Sequence, residues 1–238
     1  MSKPKGRSAD ISPGDILVID IGGSHLKIAT HGRETVRIPS GPTLTAKEMV
    51  RSVRKATKGW KYNAVSIGYP GVVVHDLPIR EPAHLGRGWV GYDYVKAFGC
   101  QLRMLNDAAM QALGDYEHGR MLFLGLGTGL GSAMIVEGLI EPMELGHLPY
   151  RKGKVFDAYI GQEGLLRLGP SKWEVHVHRV VELFAAALQP EDIVLGGGNA
   201  TRLKKPPKHV RIGDNEKAIL GGLRMWQSDF GRGPRKKD

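Results

Sequence analysis

Four short stretches of the chain carry residue types that do chemistry together. Asp20-Ile21-Gly22-Gly23-Ser24 places an acid, two glycines and a hydroxyl at the end of the apolar run Ile16–Ile19. Glycines let backbone N–H groups turn towards an anion with no Cβ in the way. A carboxylate at the strand end beside such a turn can hold a hydrated cation near phosphate oxygens. Gly125-Leu126-Gly127-Thr128-Gly129-Leu130-Gly131 repeats the plan after the apolar strand Met121–Leu124. Two such turns facing one another can grip a chain of phosphates from both sides. Asn106-Asp107 follows the strand Leu102–Leu105 directly, at a helix start. An aspartate there can take the proton of a hydroxyl attacking phosphorus, while the asparagine holds a neighbouring hydroxyl. Glu144 and His147 offer a carboxylate and an imidazole three residues apart, able to bond vicinal hydroxyls. Each stretch also has a plain reading: two Gly-turn hairpins, an ordinary N-cap pair and a surface loop.

The elements that would position these residues alternate between strand and helix. Strands are expected at Ile16–Ile19, Leu26–Thr30, Ala64–Tyr69, Val72–Val74, Leu102–Leu105, Met121–Leu124, up to Val136, and Asp192–Leu195. Helices are expected at Thr45–Lys58, with Thr45 as N-cap, at Tyr94–Phe98, and from Asn106 or Asp107 to about His118. Ser171-Lys-Trp-Glu174 reads as a capping box opening a helix to Leu188, and Asn215 as the cap of a last helix, Glu216–Trp226. Segments 75–92 and 141–170 read as loop or irregular. The alternation implies an α/β protein. The repeated hairpin divides it into a flexible leader, 1–13, a first lobe, 14–106, a second lobe, 107–228, and a basic disordered tail, 229–238. The helix 215–226 is expected to pack back towards a cleft between the lobes.

The chain has 238 residues and a net charge of +10. Residues 1–10, 202–211 and 231–238 account for the whole excess, so the remainder is formally neutral. These segments are either solvated surface or an attraction for a polyanion. One cysteine, Cys100, leaves no intrachain disulfide and no Cys-based zinc site. His176 and His178 fall on nearly opposite sides of a helix and do not make a metal pair. No apolar run is long enough to span a bilayer, and the N-terminus lacks a signal-peptide core, so a cytoplasmic setting is expected. A dinucleotide fingerprint is excluded, because Gly-x-Gly-x-x-Gly fails at Leu130 and Ser132.

Taken together, Asp20-Ile-Gly-Gly-Ser-x-x-Lys27, Gly68-Tyr-Pro-Gly71, Leu105-Asn-Asp-Ala108, Gly127-Thr-Gly-x-Gly131, Glu144-Leu-Gly-His147 and Ile193-Val-Leu-Gly-Gly-Gly198 stand in the order seen in ROK-family sugar kinases. The Glu-Leu-Gly-His form, Gly88-Trp89 and the absence of a cysteine-rich zinc motif make the chain most similar, within that family, to the polyphosphate glucokinases. The resemblance covers roughly residues 15 to 226. It implies the actin-like ATPase (ribonuclease H-like) fold, two lobes around a central cleft, and transfer of a phosphoryl group from polyphosphate or ATP to the 6-hydroxyl of glucose. By the same resemblance Asp107 is the catalytic base and Asp20 positions Mg²⁺. Gly22, Gly23, Ser24, Lys27, Gly127, Thr128 and Gly129 hold phosphates. Gly71, Asn106, Asp107, Glu144 and His147 hold the sugar, and Gly196, Gly197 and Gly198 flank a nucleotide. Zinc, membrane and nucleic acid are not expected as partners, and a homodimer is. The additional sugar-binding acid of zinc-bearing relatives has only Glu163 or Asp157 as counterparts here. Kinases of another hexose, sugar-responsive repressors and non-catalytic polyanion-binding modules are the competing classes. The repressors place a DNA-binding domain ahead of the first strand, where this sequence has about fifteen residues.

Overall fold

The computed structural model describes residues 11–227 and 230. The first half builds a five-stranded sheet. Its elements are β1 (Ile16–Ile21), β2 (His25–Ala29), β3 (Val36–Pro39), α1 (Ala46–Ala56), β4 (Ala64–Tyr69), the small hairpin β5 (Val73–Val74) and β6 (Leu77–Pro78), α2 (Tyr94–Phe98) and β7 (Gln101–Asn106). The second half follows with α3 (Asp107–Asp115), β8 (Arg120–Leu126), β9 (Leu130–Val136) and β10 (Leu139–Met143). It continues through β11 (Pro149–Arg151), β12 (Lys154–Val155), α4 (Asp157–Ile160), α5 (Gln162–Leu168) and α6 (Pro170–Leu188). It closes with β13 (Asp192–Gly196), β14 (Val210–Ile212) and α7 (Lys217–Arg224).

The two large sheets have the same plan. The first runs β3-β2-β1-β4-β7 and the second β10-β9-β8-β13-β14. In each, the first three strands pair antiparallel and the last two add parallel.

Strand parity sorts the side chains between layers. Leu17, Ile19 and Ile21 of β1 pack under α1 with Met49, Val50 and Val53. Ile16 and Val18 face the opposite way, onto α3 and α7. Met121 and Phe123 of β8 reach the same inner layer, while Leu122, Leu124 and Leu126 pack on α6 through Trp173, Val177, Val180 and Phe184. The helices α3 and α7 therefore lie between the two sheets. Asp20 shares the parity of Ile16 and Val18, so it emerges on this inner face.

Glycines set how closely α3 and α7 cross. A Cβ at Gly114 would strike the Lys217 carbonyl, and one at Gly221 the Met110 carbonyl. Past the crossing, the Ser66 hydroxyl donates to Gly222 O at 2.6 Å and accepts from the Trp226 indole at 2.8 Å. These buried bonds fasten the end of α7 to β4.

Several element boundaries differ from those expected. The long helix starts at Pro170, with Gly169 at its N-cap and no side-chain cap bond. Ser171 is inside the helix, and Glu174 instead accepts from the backbone N–H groups of Lys204 and Lys205. The last helix is Lys217–Arg224, and the Asn215 side chain points away from it. Helix α3 stops at Asp115, where Arg224 takes the carbonyls of Leu113, Gly114 and Tyr116. Segment 141–170 is largely ordered, as the hairpin β11–β12 with α4 and α5. The expected leader and tail lie mostly outside the described residues.

Candidate active site

A cleft of about 550 Å³ opens between the sheets, over the start of α3. Both glycine turns reach it. At the first, Gly22 N donates to His25 O at 3.0 Å, and Ser40 Oγ donates to Gly22 O at 2.6 Å. At the second, Gly127 N donates to Gly129 O at 3.1 Å, and Asn199 Nδ2 donates to Gly127 O at 3.1 Å. A Cβ built on Gly23 or Gly127 would meet no atom within 4 Å. The space in front of each turn is thus a cradle that a side chain would fill.

Asp107 stands on the cleft floor as the first residue of α3. Its Oδ1 accepts from Ala108 N at 2.8 Å. Burial and the nearby Asp20 carboxylate push its carboxyl up to about 7. Asp20 is itself pushed up to about 6, by burial first, against the pull of Lys27. Asn106 caps α3 through Oδ1 to Ala109 N at 3.2 Å, and its Nδ2 donates to Gly71 O at 3.3 Å. One residue thereby ties the loop after β4 to the helix that carries Asp107.

Glu144 stands at the N-cap of a short 3-10 turn, Leu145–His147, that ends on His147. His147 Nδ1 lies 3.9 Å from Glu144 Oε2, and its Nε2 lies 3.9 Å from Asp157 Oδ2. Asp157 Oδ1 accepts from Leu130 N at 2.7 Å, which braces the second glycine turn. Gly146 makes room for this carboxylate, since a Cβ there would collide with Asp157 Oδ1. Burial pushes the Glu144 carboxyl up, and His147 pulls it back. Of the two acids weighed from sequence, Asp157 lines the cleft, and Glu163 is exposed on α5.

Most of the site residues anticipated from sequence converge here: Asp20, Gly22, Gly23, Lys27, Gly71, Asn106, Asp107, Gly127, Thr128, Gly129, Glu144, His147, Gly197 and Gly198 all line the cleft. Two do not. Ser24 is exposed and lies outside the lining. Gly196 sits behind the wall, against the Phe123 ring and Gln111 Nε2. Lys27 is engaged within the protein: its Nζ donates to Asn215 O at 2.9 Å and lies 3.9 Å from Asp20 and 3.5 Å from Glu216.

Sequence reasoning missed Arg80 and His84, which reach the cleft from segment 75–92. The signal available was Trp89, fully buried beside Tyr69 with ring centroids 5.7 Å apart, which pins that segment to the core. Gln111 and Asn215 were missed as a pair. Asn215 Oδ1 accepts from Gln111 Nε2 at 2.9 Å and from Gly197 N at 3.1 Å. Nothing from the basic stretch 202–211 lines the cleft, and Arg211 is engaged with Asp192 at 2.6 Å. The basic ends, 1–10 and 231–238, lie outside the described residues.

The donor set suits one divalent cation bound mainly through water. Asp20 lies at the first glycine turn, and Asp107, the other buried carboxylate of the cleft floor, is engaged with Ala108 N. Among the described residues no group of three or more His, Cys, Asp or Glu comes together as a metal cage.

The fold is that of the actin-like ATPases, with two α/β lobes and the cleft between them. Similar crystal structures include an inorganic polyphosphate/ATP-glucomannokinase from Arthrobacter sp. strain KM, with TM-score 0.71 and 23% identity over 89% of this chain and 97% of that one. A ROK family glucokinase from Streptomyces griseus, in complex with glucose and AMPPNP, gives TM-score 0.68 and 16% identity over 88% and 98%. In sequence the chain is similar to the polyphosphate glucokinase of Mycobacterium tuberculosis, 28% identical over 91% of this chain and 80% of that protein. A polyphosphate glucokinase of Mycobacterium leprae is also 28% identical, over 83% of this chain and 64% of that protein. A scan of protein-family models finds no match. The resemblance to ROK-family sugar kinases, and among them to polyphosphate glucokinases, is borne out by these relatives.

Proposed function

We propose that the protein is a glucokinase that transfers a phosphoryl group from polyphosphate or ATP to the 6-hydroxyl of glucose. The observation that carries this reading is Asp107: a carboxylate pushed up to about 7 on the floor of a cleft edged by two open glycine turns. A base with that affinity accepts a hydroxyl proton near neutral pH while the oxygen attacks phosphorus. Asn106, Glu144 and His147, with Asp157 beside them, supply donors and acceptors for the other sugar hydroxyls. The backbone N–H groups at residues 22–23 and 127–129 face the phosphates, and Gly197 and Gly198 flank the nucleotide when ATP is the donor. Mg²⁺, held by Asp20 through water, would offset the negative charge of the phosphates. The resemblance further supports a homodimer in the cytoplasm. No helix among the described residues is long and apolar enough to cross a membrane.

The test is a coupled assay of glucose 6-phosphate formation, with glucose crossed against ATP and polyphosphate in the presence and absence of Mg²⁺. Asp107→Asn keeps the acceptor for Ala108 N and should fold. It is expected to abolish nearly all turnover while glucose still binds. Retention of more than about a tenth of wild-type kcat counts against Asp107 as the base.

A further inference from the structure

Beyond the cleft, one row of charges crosses the first sheet. Asp20 on β1 pairs in register with Lys27 on β2, and Lys27 with Arg37 on β3. Cross-strand partners share a face, and neighbouring strands are ~4.8 Å apart. The row therefore leads from the acid at the cleft, past two cations, to the edge strand of the sheet. One carboxylate bridges those cations. Glu216 Oε1 lies 2.6 Å from Arg37 Nη2 and 3.5 Å from Lys27 Nζ. Its side chain is 47% exposed and that of Arg37 56%, whereas Lys27 is 18% exposed. A single oxygen between a guanidinium and an ammonium stands where a phosphate oxygen would be held.

We propose that Lys27 and Arg37 form a lane for a phosphate chain leading out of the cleft, and that Glu216 gates it. The lane takes linear polyphosphate long enough to displace the Glu216 carboxylate from both cations. This deepens the reading of polyphosphate as donor and rests on it. Asn215 marks where the two donors part. Its carbonyl holds Lys27 on the lane side, and its side chain holds Gly197 N on the nucleotide side. A triphosphate occupies the two turns without reaching Arg37, so the gate stays closed. A longer chain continues across β2 and β3.

Equilibrium binding of long-chain polyphosphate and of tripolyphosphate, measured at low salt, tests this without turnover. Glu216→Gln removes the charge that competes with the chain. It should tighten long-chain polyphosphate about threefold and leave tripolyphosphate unchanged. Arg37→Gln should weaken the long chain by a similar factor, and added salt should erase both differences. Glucose affinity should not move. If Glu216 is only a strut holding α7 to the sheet, both variants lower the melting temperature and neither alters the preference for chain length. That result overturns the lane. Absence of polyphosphate-driven turnover in the wild type is a separate result. It overturns the donor reading, while the binding measurements still decide whether Glu216 gates a polyanion.

Discussion

In the first half of the chain, the strand leading into the glycine turn carries Asp20. In the second half the same place, two residues before the first turn glycine, is Gly125. Each is paired with a glycine of the next parallel strand, Asp20 with Gly68 and Gly125 with Gly196. The sheets around them have the same strand order, and both turns leave open cradles. On the proposed reading two copies of one scaffold would grip an anion from both sides, and at this place only the first carries a carboxylate. The asymmetry has a physical basis. A second acid at 125 would add a carboxylate to the lining of a cleft where Asp20 already pushes the Asp107 carboxyl up. In the proposed function, such a symmetrical phosphate grip with a one-sided cation site would let the donor be held by both lobes and neutralised from one.

The largest expected effect breaks that asymmetry. Asp20→Asn should lower kcat by on the order of 10²–10³-fold, the scale seen when one preorganised electrostatic group is removed. Gly125→Ala puts a Cβ 3.2 Å from the Phe123 ring, a small overlap that a side chain can absorb. Its kcat should fall by less than about tenfold. Comparable losses in the two variants would remove the distinction between the lobes.

A second comparison sets the turn glycines against the crossing glycines. Gly221→Ala drives a methyl into the Met110 carbonyl, and backbone cannot rotate away from it. Loss of about 1–3 kcal/mol is expected in denaturant unfolding. Gly23→Ala meets nothing within 4 Å, and its stability should change by no more than about 0.5 kcal/mol. Its donor KM should rise, because the methyl occupies the cradle. One glycine is needed for packing and the other for the space it leaves.

The pH dependence separates the two roles of Asp107. Its ordinary value is 3.8, and in the folded protein it is about 7. The native state therefore holds the proton more tightly than the unfolded chain. The stability linked to this proton is fully present below about pH 4 and is lost as pH rises towards 7. Activity runs the other way, since the base must be ionised. Below pH 7, kcat/KM should fall by about tenfold per unit. Asp107→Asn should flatten the stability profile between pH 4 and 7 and be more stable than wild type at pH 8. Calorimetry across that range, beside the wild-type rate profile, checks both signs.

How much of this was legible in the sequence depended on whether a residue's role was local. Asp20, Asp107 and both glycine turns sit at strand or helix ends, and the apolar runs around them mark those ends. Asn106 was legible for the same reason, as an N-cap. Arg80 and His84 were hidden, because their segment is irregular and is held by the remote contact of Trp89 with Tyr69. Lys27 was found, but its partners were not. No local pattern announces that Asn215 and Glu216, nearly the whole chain away, will occupy its ammonium. Asn215 looked like a helix cap because the chain around it is short and polar. Its true partners, Gln111 and Gly197, come from two other elements.

The smallest expected effect sharpens the contrast between the outer helices of the two lobes. Thr45-x-x-Glu48 and Ser171-x-x-Glu174 have the same spelling, a hydroxyl followed three residues later by glutamate. At α1 the motif closes in both directions: Glu48 N donates to Thr45 Oγ1, and Thr45 N donates to Glu48 Oε2 at 2.9 Å. At α6 it does not form. Pro170 starts the helix one residue early, Gly169 with φ +74° turns the chain into it, and Glu174 has left to hold the backbone of Lys204 and Lys205. Thr45→Ala should therefore cost about 1 kcal/mol of stability. Ser171→Ala should cost less than about 0.5 kcal/mol, as at an ordinary exposed helical position. The loss at the second lobe should appear instead with Glu174→Ala, through release of the 204–205 backbone. A loss at Ser171 equal to that at Thr45 would mean that the spelling outweighs Pro170 in setting where α6 begins.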